Sequence, residues 1–229
     1  MKRPAKRIFI NLMFIIFPAI SGADGEWKFI TDEDGIALYA RDLSGHAEAQ
    51  FKGTCIVNRP LEAVGSILSD IASYPRWFFK CIEAQKIPGE NSSELRFFLY
   101  VAIDTPWPFS DRDAVYETEI AIDHASEKVI VRATALKAPL IPLRRQFVRI
   151  TDSKLQWILE KRSANQTRIT FIHYTHAAGP WGDYISNSGT RATTMNSLKN
   201  LKKLLEAGHL QSGTSKTGHG AFSRIVIPI

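Results

Sequence analysis

Three consecutive charged residues, Asp111, Arg112 and Asp113, form the segment of the sequence best suited to chemistry. The two carboxylates fall on one face of a predicted strand, where a pair of acids could share catalytic work. Charges at the start of a strand more commonly hold a loop against its neighbours. We therefore expect structural ion pairing here, and no catalytic residues.

Other catalytic and metal-binding patterns are weak. His173 and His176 lie three residues apart on a predicted strand, so their side chains point to opposite faces. The sequence has no Gly-x-Ser-x-Gly nucleophile motif and no phosphate-binding glycine loop. We expect no metal site, no cofactor and no enzymatic activity.

Cys55 and Cys81 are the two cysteines of the chain. An oxidising compartment would permit a disulfide between them, and the alternative is a pair of buried, apolar thiols. Their positions in the sequence leave both possibilities open.

The N-terminus has the pattern of a secretory signal peptide. Two lysines and two arginines precede an apolar run at residues 8–17, and Ser21, Gly22 and Ala23 are small residues suited to cleavage. The run is about half as long as a membrane-spanning helix, which disfavours a permanent anchor. We predict a leader at residues 1–23 and export, with a bacterial periplasm as the destination.

Removal of the leader changes the charge of the chain. The full sequence has a formal net charge of +6, and four of its cations lie in the leader, which leaves +2. A domain this close to neutral lacks the dense basic face of nucleic-acid-binding proteins. The remaining residues fit one domain at 24–207, followed at 208–229 by a flexible linker and an apolar C-terminal tail.

Alternation of apolar and polar residues predicts a domain rich in strands. Glu117 and Glu119 share one face of their strand while Tyr116 and Thr118 share the other, as in an antiparallel sheet with one solvated side. A helix is expected after Pro60. The other predicted strands and helices span residues 27–30, 36–41, 51–57, 71–79 (a short helix), 82–87, 95–103, 113–122, 129–135, 145–150, 155–160, 168–177 and 182–206 (a long helix).

The long helix at 182–206 has an unusual middle. Its residues from 188 to 194 are mostly small, and several are poor helix formers. A helix that simply packs on a sheet would carry leucines there, whereas small side chains leave space beside the sheet. This pattern predicts the wall of a cavity.

Several motifs, in this order, resemble START domains, the lipid-transfer modules related to the steroidogenic acute regulatory protein. They are Trp27 with residues 34–41, then 51–53, 60–64, 74–77, 106–113 and 179–181. The resemblance implies an α+β helix-grip fold (START/Bet v 1-like), in which a curved antiparallel sheet wraps a long C-terminal helix around an internal apolar cavity for one lipid. It also places Cys55 and Cys81 on distant strands, which argues against a disulfide.

The resemblance also indicates where a ligand and a membrane would be contacted. Trp107 and Trp181 match tryptophans that enter the membrane surface in ceramide-transfer START domains, although either could instead close the core. Phe109 lies in the same loop as Trp107. The residues expected to line the cavity are Tyr100, Tyr116, Thr118, Arg132, Phe171, Ser188, Ala192 and Met195.

The arginines and Thr118 bear on the choice of ligand. Thr118 stands where the resemblance to cholesterol-binding START domains would place an arginine, which weakens the case for a sterol. Arg132 could meet a lipid head group or face solvent. Arg144, Arg145 and Arg149 could attract anionic head groups or form an ordinary solvated face.

The sequence therefore predicts an exported lipid-binding and lipid-transfer protein that holds one hydrophobic ligand and exchanges it at membranes. Two alternatives remain open. One is a helix-grip enzyme of the polyketide cyclase or aromatase type. The other is a periplasmic module that binds a protein partner through the tail at 208–229.

Overall fold

The computed structural model describes residues 24–89, 92–178 and 182–207. The predicted leader at 1–23, the tail at 208–229 and Trp181 lie outside these residues. Within the described ranges, no helix is both long and apolar enough to cross a membrane.

Ten strands and three α-helices make up the described part of the chain, and every predicted strand is present with ends that differ by a few residues. A short 3-10 turn, Ile71–Ser73, precedes the second helix. The strands are β1 (Lys28–Glu33), β2 (Ile36–Asp42), β3 (Ala49–Val57), β4 (Cys81–Ile87), β5 (Arg96–Ile103), β6 (Asp111–Asp123), β7 (Lys128–Ala135), β8 (Phe147–Ile150), β9 (Asp152–Ser163) and β10 (Gln166–His176), and the helices are α1 (Leu61–Ser69), α2 (Tyr74–Trp77) and α3 (Gly182–Glu206).

The strands form a single sheet in the order β1-β2-β3-β10-β9-β7-β6-β5-β4, with antiparallel neighbours throughout. β8 is the exception, because it pairs in parallel with the first residues of β6. The β1–β2 hairpin turns at Asp34 and Gly35, whose φ angles of 56° and 72° suit the turn that Asp-Gly sequences favour. The helix-grip architecture implied by the sequence is confirmed.

Helix α3 packs closely on the sheet through its C-terminal half. Leu198, Leu201 and Leu205 are fully buried there. At Gly53 on β3, an added Cβ atom would overlap Leu198 Cδ1, so any larger residue here would force the buried Leu198 side chain to move. The C-terminal half of α3 is therefore in direct contact with the sheet, and the N-terminal half lies across the rest of the sheet.

The two cysteines are buried free thiols. β3, which carries Cys55, is the third strand of the sheet order, whereas β4, which carries Cys81, is the last. Burial raises the pKa of Cys55 to about 11 and that of Cys81 to about 12. The two cysteines therefore lie on strands that are not neighbours in the sheet.

Candidate ligand cavity

A cavity of about 460 Å³ lies between α3 and the inner face of the sheet. Its sheet side is mainly apolar and includes Leu99 and Val101 from β5, Ala114 from β6 and Ala133 from β7. Small-molecule sites in proteins typically have volumes of about 300–1,000 Å³ and apolar walls. The size and lining suit a hydrophobic ligand.

The opposite wall of the cavity is the N-terminal half of α3. The prediction that small residues line a cavity is confirmed, because Ser188, Gly189, Thr190, Ala192 and Thr193 all lie in this wall. Leucines in the C-terminal half fill the space against the sheet, whereas these short side chains leave it open. The change in side-chain size along one helix thus forms the cavity.

Four of the predicted lining residues take their expected place: Tyr116, Thr118, Ser188 and Ala192. Two others, Phe171 and Met195, are buried in the main core and do not line the cavity. The ring of Phe171 stacks on Trp157 with centroids 3.9 Å apart, and Trp157 supplies the wall at that point.

Tyr100 was expected in the cavity, and the structure places it on the other face of the sheet. Leu99 and Val101 face the cavity, so Tyr100 between them faces away. It belongs to a second small core with Ala102 and Val115. Its hydroxyl donates to Asp113 (3.2 Å) and accepts from Arg144 (2.9 Å).

Arg132 does not reach the cavity either. It lies between Val131 and Ala133, which line the cavity, and its own side chain is exposed on the outer face. Its partner across the strands is Glu119, which is also exposed. Because side chains alternate along β7, Arg132 faces solvent and does not meet a head group in the cavity.

The carboxylates beside Arg112 form structural pairs, as predicted. Asp113 is 1% exposed and binds Arg149 through both oxygens, at 2.7 and 2.9 Å. Asp111 accepts a hydrogen bond of 2.9 Å from the backbone N–H of Thr105. Arg144 donates to Glu83 at 2.6 Å. Two of the three clustered arginines are therefore held by carboxylates.

The loop at residues 104–110 closes one side of the cavity. Trp107 is 92% exposed at its tip. Phe109 is half-buried and lines the cavity, which differs from its expected place at a membrane surface. One loop therefore presents an indole to the outside and a phenyl ring to the interior.

A chain of buried polar groups joins β6, β9 and β10 beside the cavity. Tyr116 donates to Ser153 Oγ (3.2 Å), and Ser153 donates to the carbonyl of Tyr174 (3.0 Å). Since Ser153 has one proton, the Thr175 hydroxyl at 2.7 Å must donate to Ser153, and His173 Nε2 at 2.7 Å must donate to Thr175. His173 Nδ1 is then an unprotonated acceptor, and it has no partner among the described residues.

His173 is buried and neutral, because burial lowers its pKa to about 3. His176 lies on the opposite face and contacts Glu48. The described residues contain no group of three or more His, Cys, Asp or Glu side chains placed to hold a metal ion. The two histidines therefore do not act together.

Stability should depend on pH through His173. Below pH 6.5 the unfolded chain binds a proton there and the native state does not, so the free energy of unfolding falls as the pH falls. Between pH 7 and pH 5, the free energy of unfolding of wild type should therefore fall by about 2 kcal/mol more than that of His173→Gln. Urea titrations at both pH values measure the difference. The exposed-site control His124→Gln should follow wild type, and identical profiles for wild type and His173→Gln would contradict the assignment.

Arg112 and His173 are among the residues of this wall that sequence reasoning missed. Arg112 is 4% exposed and lines the cavity, whereas the sequence suggested only ion pairs with its neighbours. His173 also lines the cavity. The sequence did contain a signal that Arg112 faces the cavity, because alternation along β6 places it on the same strand face as Ala114, Tyr116 and Thr118.

Comparison with known proteins agrees with this architecture. No protein-family model matches the chain. It is 22% identical to an uncharacterised Pseudomonas aeruginosa protein over 85% of this chain and 96% of that protein, and 23% identical to mouse phosphatidylcholine transfer protein over 84% and 88%. A crystallised STAR-related lipid transfer protein from Xanthomonas axonopodis superimposes with a TM-score of 0.69 at 24% identity, covering 79% of this chain and 98% of that one. In sequence and in architecture, this chain resembles the START-related lipid transfer proteins and has their fold.

Proposed function

We propose that this protein is an exported lipid carrier, which holds one hydrophobic lipid in the cavity and exchanges it at membranes. The observation that carries the proposal is the apolar cavity between α3 and the sheet. Its walls would bind alkyl chains at about 0.8 kcal/mol for each buried methylene group. The likeness to lipid transfer proteins supports the same ligand class, and the leader pattern at residues 1–23 supports export.

A carrier accounts for the cavity better than an enzyme does. The carboxylates near the cavity, Asp111 and Asp113, are held in hydrogen bonds and ion pairs that maintain the fold. His173 is neutral and hydrogen-bonded within the wall. A carrier needs only burial and orientation of its ligand and returns it chemically unchanged.

The proposal can be tested by native mass spectrometry. The full chain is expressed with its leader and purified from the compartment that it reaches. We expect one lipid per chain, recovered unchanged by solvent extraction, and an intact mass that shows loss of residues 1–23. Empty protein that also fails to take up lipid from vesicles would contradict the carrier. Recovery of a chemically converted product would favour the enzyme.

The exposed indole of Trp107 supports membrane contact by the loop at 104–110, because tryptophan prefers the interfacial layer of a bilayer. We expect Trp107→Ala to slow transfer between phosphatidylcholine vesicles about tenfold, corresponding to about 1.4 kcal/mol of lost membrane contact. The amount of bound lipid should not change. A stopped-flow assay with fluorescent donor lipid measures the rate.

Phe29 on β1 provides a matched control, since it is also an exposed aromatic residue, at 62%. It lies on an edge strand distant from β6 in the sheet order. Phe29→Ala should transfer lipid at the wild-type rate. An unchanged rate in Trp107→Ala, or an equal loss in both variants, would exclude a specific membrane role for Trp107.

A further inference from the structure

The buried side-chain atoms that lack hydrogen-bond partners belong to residues of the cavity wall. Among the described residues, three buried side-chain atoms have no hydrogen-bond partner: Arg112 Nε, Thr118 Oγ1 and His173 Nδ1. All three side chains line the cavity. Buried polar groups are normally hydrogen-bonded, so each of these atoms is a candidate for contact with a bound ligand. Arg112 and Thr118 lie six residues apart on β6, about 20 Å at about 3.3 Å per residue, so one head group cannot reach both.

Of the three residues, Arg112 costs the most free energy to bury without a partner, because it carries a charge. It is 4% exposed, and burial lowers the pKa of its guanidinium, which nevertheless stays protonated at neutral pH. The one hydrogen bond that its side chain makes within the described residues runs from Nη1 to the carbonyl of Ser110. No Asp or Glu in that part of the chain lies within ion-pair distance of it.

Neither neighbouring carboxylate forms a salt bridge with Arg112. The charge of Asp111 acts on the guanidinium only at longer range, where it partly offsets the lowering of the Arg112 pKa by burial. Asp111 and Asp113 point to the other face of β6, where Asp111 binds the Thr105 N–H and Asp113 binds Arg149. Arg149 therefore receives a bidentate carboxylate, whereas Arg112, on the same strand pair, receives none.

The other charged residues of the cavity wall have different surroundings. Lys80 and Asp104 pair with each other. Lys86 and Glu94 are exposed, and the Lys86 ammonium lies 4.2 Å from the centroid of the Phe97 ring. Arg112 is thus the buried cation of the wall, as far as the structure describes it. A buried charge needs an opposite charge, and a guanidinium fits the two oxygens of a carboxylate or phosphate.

We propose that Arg112 binds the acidic head group of the ligand, so that the carrier is selective for acidic lipids that bear a carboxylate or a phosphate. This rests on the proposed carrier function. The head group would lie beside the loop at 104–110, because Arg112 contacts Ser110. The apolar wall continues along β6 to Ile120, roughly 26 Å at about 3.3 Å per residue, which accommodates an acyl chain.

Neutral isosteres of acidic lipids test this directly in the full-length protein. We expect delipidated wild type to bind palmitate at least tenfold more tightly than methyl palmitate, and phosphatidate at least tenfold more tightly than diacylglycerol with the same chains. The first pair reports on a carboxylate and the second on a phosphate. Arg112→Met should bind the acid and the neutral lipid of each pair equally, and Arg112→Lys should keep part of the preference.

Two further measurements separate binding from folding. The melting temperature of ligand-free Arg112→Met should equal or exceed that of wild type, because the substitution removes an unpaired buried charge. The exposed Arg145, changed to Met, should keep the wild-type preference. The assignment would be overturned if Arg112→Met melts at a lower temperature than wild type and every variant, including Arg112→Met and Arg112→Lys, still prefers the acidic lipids.

The outcomes also distinguish this inference from the proposed function. Equal affinity of wild type for the acid and neutral members of both pairs would refute the role of Arg112 and leave the carrier intact. Failure to bind any of the four lipids would refute the carrier itself.

Discussion

A protein that carries both Ala133→Phe and Ala192→Phe should fold but purify without lipid. Ala133 on β7 and Ala192 on α3 line the cavity from opposite walls, so the two rings would enter the same space. Native mass spectrometry should show bound lipid falling from about one per chain to near zero, and transfer between vesicles should stop. Because the rings fill a cavity, overpacking should cost at most about 1–3 kcal/mol.

The matched control moves the same rings one position along each element. Thr134→Phe and Arg191→Phe together place them on exposed positions of β7 and α3. This variant should keep both lipid and transfer activity. If the cavity-facing variant is folded by circular dichroism and still holds lipid at the wild-type level, the ligand does not occupy this cavity.

Asp113→Ala should give the largest loss of stability predicted here. The carboxylate is 1% exposed, and its removal leaves Arg149, whose side chain is 10% exposed, without its bidentate partner. Breaking a buried ion pair in this way typically costs about 3–5 kcal/mol, since the remaining charge is uncompensated. Urea denaturation followed by circular dichroism measures the change in the free energy of unfolding.

Two comparison variants make this result interpretable. Glu119→Ala removes an exposed carboxylate from the same strand, 3.8 Å from Arg96, and should change stability by less than about 1 kcal/mol. Asp113→Ala combined with Arg149→Met should recover part of the loss, because no unpaired charge remains. Near-wild-type stability of Asp113→Ala would show that this pair does not hold β8 against β6.

Local patterns were sufficient to predict much of the fold and parts of both walls of the cavity. The alternation around Thr118 identified the inner face of β6, and the small residues of α3 identified the opposite wall. Both signals are contained in short segments. A strand with one solvated face shows its orientation in its own sequence, and a helix shows by its side-chain sizes whether it can fill the space beneath it.

Which face of β5 lies toward the cavity could be assigned only once the pairing of the strands was known. β5 is apolar on both faces, because its outer face is covered by a second small core around Tyr100. Its alternation therefore could not distinguish inside from outside. The register pairs Leu99 with Tyr116 and Tyr100 with Val115, which turns Leu99 into the cavity and Tyr100 out of it.

The order of strands and helices, the turns between them and the small-residue wall of α3 could all be read from local sequence patterns, because each depends on residues close together in the chain. The surroundings of Arg112, in contrast, depend on how distant strands pack together. Its neighbours Asp111 and Asp113 are adjacent in sequence, but the pleat turns them to the other face, where Thr105 and Arg149 bind them. Which charges neutralise one another depends on partners brought from distant strands, and alternation along β6 leaves Arg112 facing the cavity.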